Sequence, residues 1–345
     1  MKKYVCALGL LCLLLSVSCD EDFDVTAPYK DITVVYGLLD YHDSVHYVRI
    51  QKAFMGDGNA LVYCTIPDSL YYPAGLQAYI LGYDESGTKV DADSFYLERE
   101  ENEVMKDSGL FAAYNNVLYK GVKQLNPNHT YQLIIIKPNG DTTWAETPMA
   151  GNVAMSPQPV WFDWEPENIA VTEKFVNITW ADAPDAFIYA VSLYFNYQEW
   201  IYGNPGAVEN KQVHYNFAMF KPTAEYECNT NQICFPISKS QFYSILKNQI
   251  EADPENTLPN NLRVRKFTGI DIKVTVAVEE LYMYIKINAP NLSFVQKVNT
   301  YTNIHGGIGI FSARSSSGYT GVALNPQTMD SLRWGQYTHQ LNFQP

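Results

Sequence analysis

Basic residues are scarce in this 345-residue chain: 24 Lys and Arg stand against 37 Asp and Glu, a net charge of −13. A surface of that sign repels phosphate backbones and anionic headgroups, which argues against nucleic acid as a ligand. Charged residues make up 18% and hydrophobic residues 47%, a balance that excludes disorder for the bulk of the chain. The apolar run from Tyr4 to Leu15 is about a dozen residues, short of the ~20 that a helix needs to cross ~30 Å of hydrocarbon. Signatures of familiar chemistry are missing as well. There is no Gly-x-Ser-x-Gly elbow and no Asp-x-Asp-x-Asp-Gly calcium loop. No Lys-Ser or Lys-Thr follows the glycines at 306–309, as a phosphate loop requires.

What the start of the chain does hold is an address. Met1-Lys2-Lys3 ahead of the apolar run reads as a secretory signal peptide over residues 1–18, not a membrane anchor. It ends in Ser16-Val17-Ser18-Cys19, which resembles the lipobox of bacterial lipoproteins, where the cysteine thiol is acylated and the leader removed. Lipoboxes prefer Leu three positions before the cysteine; here Ser16 holds that place and Leu15 lies one step earlier. The alternative is plain cleavage, leaving a secreted protein with Cys19 as a stray thiol. Asp20-Glu21-Asp22-Phe23-Asp24 follows. Acidic runs are commonly solvated tethers, but this one also resembles the export signal that sends Bacteroidota lipoproteins to the outer face of the outer membrane. Residues 19–29 are therefore expected to be a lipidated tether, with the outer membrane as partner and the folded head facing the cell exterior. Each buried methylene adds ~0.8 kcal/mol, so two or three acyl chains anchor durably. Loss of Lys2 and Lys3 lowers the 24 basic residues to 22 against 37 acidic, and the head stands away from an anionic surface.

Cysteine is sparse too. Cys6 and Cys12 leave with the leader and Cys19 takes the lipid, so Cys64, Cys228 and Cys234 remain. Cys228 and Cys234 bracket Asn229-Thr230-Asn231-Gln232-Ile233, a polar loop suited to disulfide closure in an oxidising compartment. Closing a ring of that size is worth about 2.4 kcal/mol on chain-entropy grounds. Zinc would need two further Cys or His at short spacing, and His214 and Cys64 serve only if the fold brings them in. Cys64 is expected to be buried and inert.

Strand signals fill residues 30–150. Ile32, Val34, Tyr36 and Leu38 alternate with Thr33, Val35, Gly37 and Leu39, apolar on both faces, and predict a well-buried strand. Further strands read at 78–81, 95–97, 119–125 and 130–136, the last turning at Pro138-Asn139-Gly140-Asp141 and returning through Trp144. Short strands at that spacing predict a β-sandwich, and Gln124 to Tyr131 ahead of the final hairpin resembles the last strands of immunoglobulin-like domains. Residues 147–159, with Pro, Gly and Ser, are the candidate boundary. Beyond it a strand-borne Trp180 precedes Tyr189 by nine positions, which looks like a fibronectin type III core with both rings between two sheets. The rest is mixed. Phe242, Ile245, Leu246 and Ile250 fall at helical spacing, with Ser238 or Ser240 as N-cap. Ile270–Val278 alternates as a strand, Glu279 to Asn288 reads as a helix stopped by Pro290, and a Gly-rich turn feeds a strand ending at Phe311. The expected fold class is mainly β: an immunoglobulin-like sandwich over 30–150, then a fibronectin type III-like start and an α+β remainder over 155–345.

Asn303-Ile304-His305-Gly306-Gly307-Ile308-Gly309-Ile310-Phe311, preceded by Glu279-Glu280-Leu281-Tyr282-Met283-Tyr284-Ile285, joins the close cysteine pair and the early Ile32-Thr33-Val34-Val35-Tyr36-Gly37 strand. Together they resemble a family of Bacteroidota outer-membrane lipoproteins catalogued as domain of unknown function 4249, over nearly the whole mature chain. The resemblance implies an anchored lipoprotein, often considered a partner of TonB-dependent transporters, and brings no chemistry with it. The chain does not resemble the longer, repeat-helical glycan-binding lipoproteins that cap such transporters.

Candidates for chemistry are few. His42 and His46 with Asp40 and Asp43 sketch a metal site, but at a turn they read as solvated side chains. Glu279-Glu280 is a carboxylate pair whose simpler role is charge at a helix start. Asp43-Ser44-Val45, Asp68-Ser69-Leu70, Asp141-Thr142-Thr143 and Asp330-Ser331-Leu332 match a short O-glycosylation pattern of exported Bacteroidota proteins. Aromatics are plentiful at 14%, with 26 Tyr, as in β-rich exported proteins. Trp161, Trp164, Trp200, Tyr194, Tyr197 and Tyr202 lie within about forty residues. Of these Trp161, Trp164, Trp200 and Tyr197 make the candidate binding surface, since exposed rings stack on sugars or anchor protein partners. The competing reading is a sandwich core and its edges. The expected function is that of a non-enzyme without metal or cofactor, an accessory or binding subunit of a TonB-dependent β-barrel transporter or another envelope complex. The alternative is a structural or adhesive protein contacting host or neighbouring cells.

Overall fold

The computed structural model describes residues 31–53, 60–105, 116–164, 174–229, 231–289 and 300–345. The leader, Cys19 and its tether lie outside them. The first part of the chain forms β1 (Thr33–Leu39), β2 (Val45–Lys52), two short helices α1 (Ala60–Tyr63) and α2 (Pro67–Leu70), β3 (Gln77–Tyr83) and β4 (Lys89–Glu101). It continues with β5 (Val117–Val122), β6 (Thr130–Ile136) and β7 (Thr142–Pro148). Next come β8 (Trp161–Phe162), β9 (Phe175–Ala181), β10 (Ile188–Ile201), β11 (Asn204–Asn216), β12 (Glu227–Asn229), β13 (Gln232–Ser238) and α3 (Lys239–Gln249). The chain ends in β14 (Arg263–Ala277), α4 (Glu279–Asn288), β15 (Gly307–Leu324), α5 (Pro326–Trp334) and β16 (Phe343–Gln344).

The fold is mainly β and sandwich-like. Neighbouring strands run in the order β11-β10-β14-β15-β1-β2-β5-β4-β3-β6-β7, with β8 and β16 attached to the side. Lys89–Leu97 of β4 pairs with β3 and Glu98–Glu101 pairs with β5, so one long strand carries the ribbon from one layer to the other. A bridge between Trp144 and His305 brings β7 back beside the start of β15. Val35, Val48 and Ile50 from one layer and Ile80, Leu133 and Ile135 from the other are fully buried. Their period-2 spacing puts alternate side chains inside. At the lower corner the Tyr131 hydroxyl accepts the Asn126 N–H at 2.7 Å, the hydrogen bond of a tyrosine corner.

A smaller sheet, β12-β13-β9, covers the inner side of β10. Trp180 and Tyr189 meet there as expected, ring centroids 5.4 Å apart and neither exposed to solvent. The Tyr189 hydroxyl donates to Asp182 at 2.7 Å and accepts the Ala183 N–H at 2.8 Å, so its polar end stays satisfied. The helix α3 starts at Ser238, whose hydroxyl accepts the Gln241 N–H at 3.2 Å, and buries Phe242, Ile245 and Leu246 against the same core.

The 147–159 segment does not interrupt the sheet. β15 pairs in parallel with β1 from Thr33↔Gly307 to Leu39↔Ala313, then antiparallel with β14 further along. One buried cluster accordingly runs from Val35 and Leu133 to Trp180 and Phe343. Glycine makes the parallel pairing possible. A Cβ on Gly309 would sit 1.9 Å from the Val35 carbonyl oxygen, and Gly309 holds φ +115°, where side chains are strained. The expectation of a strand buried on both faces is corrected at β1. Val35 and Leu39 are fully buried, but Tyr36 and Leu38 on the other face are 44% and 37% exposed.

Candidate functional site

The large sheet has an inner face packed on the core and an outer face open to solvent. β10 divides them by simple alternation: Val191, Leu193, Phe195, Tyr197 and Glu199 point inward, while Ser192, Tyr194, Asn196, Gln198 and Trp200 point outward. On β11 their partners are Asn216 opposite Ser192, His214 opposite Tyr194, Gln212 opposite Asn196 and Asn210 opposite Gln198.

These outer side chains interlock. Ser192 Oγ donates to Asn216 Oδ1 at 2.7 Å, Gln212 Nε2 to Asn196 Oδ1 at 2.7 Å, and Gln198 Nε2 to Asn210 Oδ1 at 3.2 Å. Asn196 Nδ2 donates to Asp271 Oδ2 at 2.8 Å, and the other oxygen of Asp271 accepts the Gly321 N–H at 2.7 Å. The Tyr194 ring lies flat on the His214 imidazole, centroids 4.4 Å apart and planes 3° from parallel. A primary amide offers two donors and two acceptor lone pairs, so each of these amides retains groups that face water.

Two hollows mark the ends of the face. One of about 410 Å³ is lined by Tyr194, Gln212, Asp271 and Gly318. The other, about 590 Å³, is lined by Trp200, Tyr202, Pro205, Leu262, Asn342 and Gln344, and its walls are largely apolar. Gln344 Nε2 donates to Asn342 Oδ1 at 2.9 Å, which carries the amide pattern on to β16. Tyr194 and Trp200 stand six residues apart on one strand, or about 20 Å at ~3.3 Å per residue.

Directly beneath lies a buried ionic clamp. Arg265, 1% exposed, donates from Nε to Glu199 at 2.7 Å, from Nη1 to the Leu341 carbonyl at 2.6 Å and from Nη2 to the Glu251 carbonyl at 2.9 Å. Lys211 donates to the other Glu199 oxygen. Burial alone would raise the Glu199 pKa, but the bonds and charges of Lys211 and Arg265 outweigh it and hold the carboxyl below its usual range. The clamp ties β10, β14 and the C-terminal segment together, and so fixes the floor under Trp200.

The four residues of the expected aromatic surface separate. Trp164 and Tyr197 are each 7% exposed and belong to the core, Trp164 against Phe162, Phe242 and Tyr243, and Tyr197 against Phe195 and Phe343. Trp200 is half-buried at the larger hollow. Trp161 is 47% exposed on β8, paired beside β15 at Ala323. Tyr202 is exposed and joins Trp200.

Cys228 and Cys234 form the disulfide, and Cys64 is a buried thiol that donates to the Leu61 carbonyl at 3.2 Å. His42 bonds Asp40 at the β1–β2 turn, whereas His46 is buried with Nε2 2.9 Å from the Lys123 carbonyl oxygen. Burial lowers the His46 pKa, against the opposing Lys123 bond and the charges of Asp43 and Asp40. Among the described residues no three His, Cys, Asp or Glu side chains gather as a metal site. Glu279 and Glu280 occupy the first turn of α4. Burial pushes the Glu280 pKa up, aided by Glu279, Asp185 and Glu146 and opposed by its own backbone N–H. Of the tripeptide hydroxyls, Ser44 and Thr142 are exposed, while Ser331 sits within α5 and bonds the Gln327 carbonyl.

The profile of the family described as Domain of unknown function (DUF4249) matches residues 20–320. The chain belongs to this family. No curated protein matches it. In this DUF4249 protein the matched span takes in β1 to β14, most of β15 and every interlocked amide of β10 and β11, so the outer face is part of the family domain. Asn342 and Gln344 lie past its end. Sequence reasoning missed the amides because it weighed rings alone. The strict alternation of Ser192, Tyr194, Asn196, Gln198 and Trp200 with apolar neighbours was the signal that finds them.

Proposed function

We propose that this DUF4249 protein is a lipid-anchored binding subunit of the outer membrane, facing the cell exterior and working without chemistry of its own beside a TonB-dependent β-barrel transporter or a similar envelope complex. One observation carries the reading: the outer face of β10 and β11 is an open, rigid surface built of interlocked amides and aligned rings. Such a surface suits reversible contact, since each amide keeps donors and acceptors for a ligand while the rings offer flat apolar area. The leader, the cysteine at 19 and the acidic run behind it support export and anchoring. The acyl chains keep the head close to the barrel, where tethering raises the effective concentration of one for the other.

Extraction of the natively expressed chain in mild detergent, followed by affinity capture, tests this. A β-barrel transporter is expected to co-elute with the wild-type protein. The Cys19→Ala variant is expected in the soluble fraction without it. Recovery of the wild-type chain alone, or a Cys19→Ala variant that stays with membranes, overturns the reading.

A further inference from the structure

The interlocked amides, the stacked Tyr194–His214 pair and the Trp200–Tyr202 hollow share one face of one sheet, in line along β10. Their chemistry narrows what can lie there. A protein partner is held by an apolar centre with a polar rim. Here the order is reversed, with rings at the two ends and amides between them. The cations of this face, Lys273 opposite Ser192 and Lys266 opposite Gln198, stand seven residues apart on β14, about 23 Å, too far to converge on one anion, and the Asp271 carboxylate lies between them. That carboxylate is already bonded twice, so it offers a cation little. What remains is a ligand with many neutral donors and acceptors along its edge and weakly apolar flat faces at intervals. Such a ligand has to be long enough to reach from Tyr194 to Trp200, about 20 Å.

We propose that this face binds a neutral, linear oligosaccharide laid along β10. One sugar ring stacks at Tyr194 and a distant one at Trp200 and Tyr202. The hydroxyls between them bond the spare amide groups of Asn196, Gln198 and Gln212. The Tyr194 ring is held by its stack on His214, and Asn196 is fixed from two sides by Gln212 and Asp271. The site therefore loses little conformational freedom when it is filled. This proposal rests on the reading of the protein as a binding subunit and supplies its ligand class.

The test titrates the full-length lipidated chain in detergent with five neutral hexasaccharides (cello-, xylo-, manno-, malto- and laminarihexaose) by calorimetry, and the same preparation is assayed for a co-purifying β-barrel. At least one hexasaccharide is expected to bind with Kd of about 1 mM or tighter. Trp200→Ala and Tyr194→Ala are each expected to weaken it by roughly tenfold, the loss of about one ring contact. Tyr194→Phe and Trp200→Phe, which keep a flat ring, retain binding, and Tyr96→Ala on β4 leaves it unchanged. Circular dichroism confirms that each variant is folded. Failure of all five sugars to bind overturns the proposal, as does binding that survives both alanine substitutions. A co-purifying barrel without sugar binding rejects the ligand class and keeps the accessory role. Sugar binding without a barrel does the reverse.

Discussion

Gly309→Ala puts the joining of β1 to β15 under direct strain. The new Cβ would stand 1.9 Å from the Val35 carbonyl oxygen, and the nearest atoms are all backbone, so no side chain can rotate to relieve the overlap. The residue also holds φ +115°, a conformation that costs a non-glycine residue about 1–3 kcal/mol by itself. The overlap adds to this, because relief requires the two strands to part somewhere between Thr33↔Gly307 and Leu39↔Ala313. Each ladder bond lost in that buried setting costs about 1–3 kcal/mol. With one bond lost the sum is about 2–6 kcal/mol, a large share of the ~5–15 kcal/mol that holds a typical domain folded. Gly87→Ala is the matched control. Gly87 sits in the β3–β4 turn at φ +77° with nothing within 4 Å of an added Cβ, so it pays the conformational cost without the overlap. Urea unfolding of both variants separates the two contributions, with the Gly309 variant expected to lose about 1–3 kcal/mol more. Equal losses would refute the close approach of β15 to β1.

Three further outcomes follow from single contacts. Glu199→Gln removes the charge that faces Arg265 and Lys211, and is expected to cost about 3–5 kcal/mol at neutral pH. The wild-type Glu199 pKa lies below 4.5 when folded, so its contribution is present above that pH and is lost as pH falls through the folded value. The variant should show a flatter acid limb in the same pH titration of urea midpoints. The Cys228→Ser/Cys234→Ser double variant should lose about 2.4 kcal/mol in urea and become insensitive to reductant. Tyr131→Phe deletes the acceptor for the Asn126 N–H and should cost about 1–3 kcal/mol by thermal or urea unfolding, with the circular dichroism spectrum unchanged.

Local signals in the sequence were reliable where local forces decide. Ser238 caps α3 because its hydroxyl needs only the N–H three residues on. Trp180 and Tyr189 meet because two strands of opposite parity turn their rings into the same gap. The disulfide was legible from two cysteines that bracket a short polar loop. The parallel pairing of β1 with β15 was not, since it joins residues more than 250 positions apart and leaves no periodic trace. The Gly306–Gly309 segment announced a turn but not the backbone contact that Gly309 exists to permit. Apolar residues at Tyr36 and Leu38 suggested burial, yet their face of β1 stays partly open. In the candidate site, proximity along the chain proved a poor guide to which rings share a surface. Tyr197 and Trp200 are three positions apart on a strand and so face opposite sides.

The claim that most needs testing is that the outer face of β10 and β11 is where this protein makes contact. Hydroxyl-radical footprinting on growing cells, set against the washed and purified chain, addresses it without knowledge of the partner. Tyr194, Trp200 and Tyr202 should be shielded on cells, while Tyr96 and Met105, both exposed on the other half of the fold, react alike in the two states. Equal oxidation of all five residues in both preparations would contradict it.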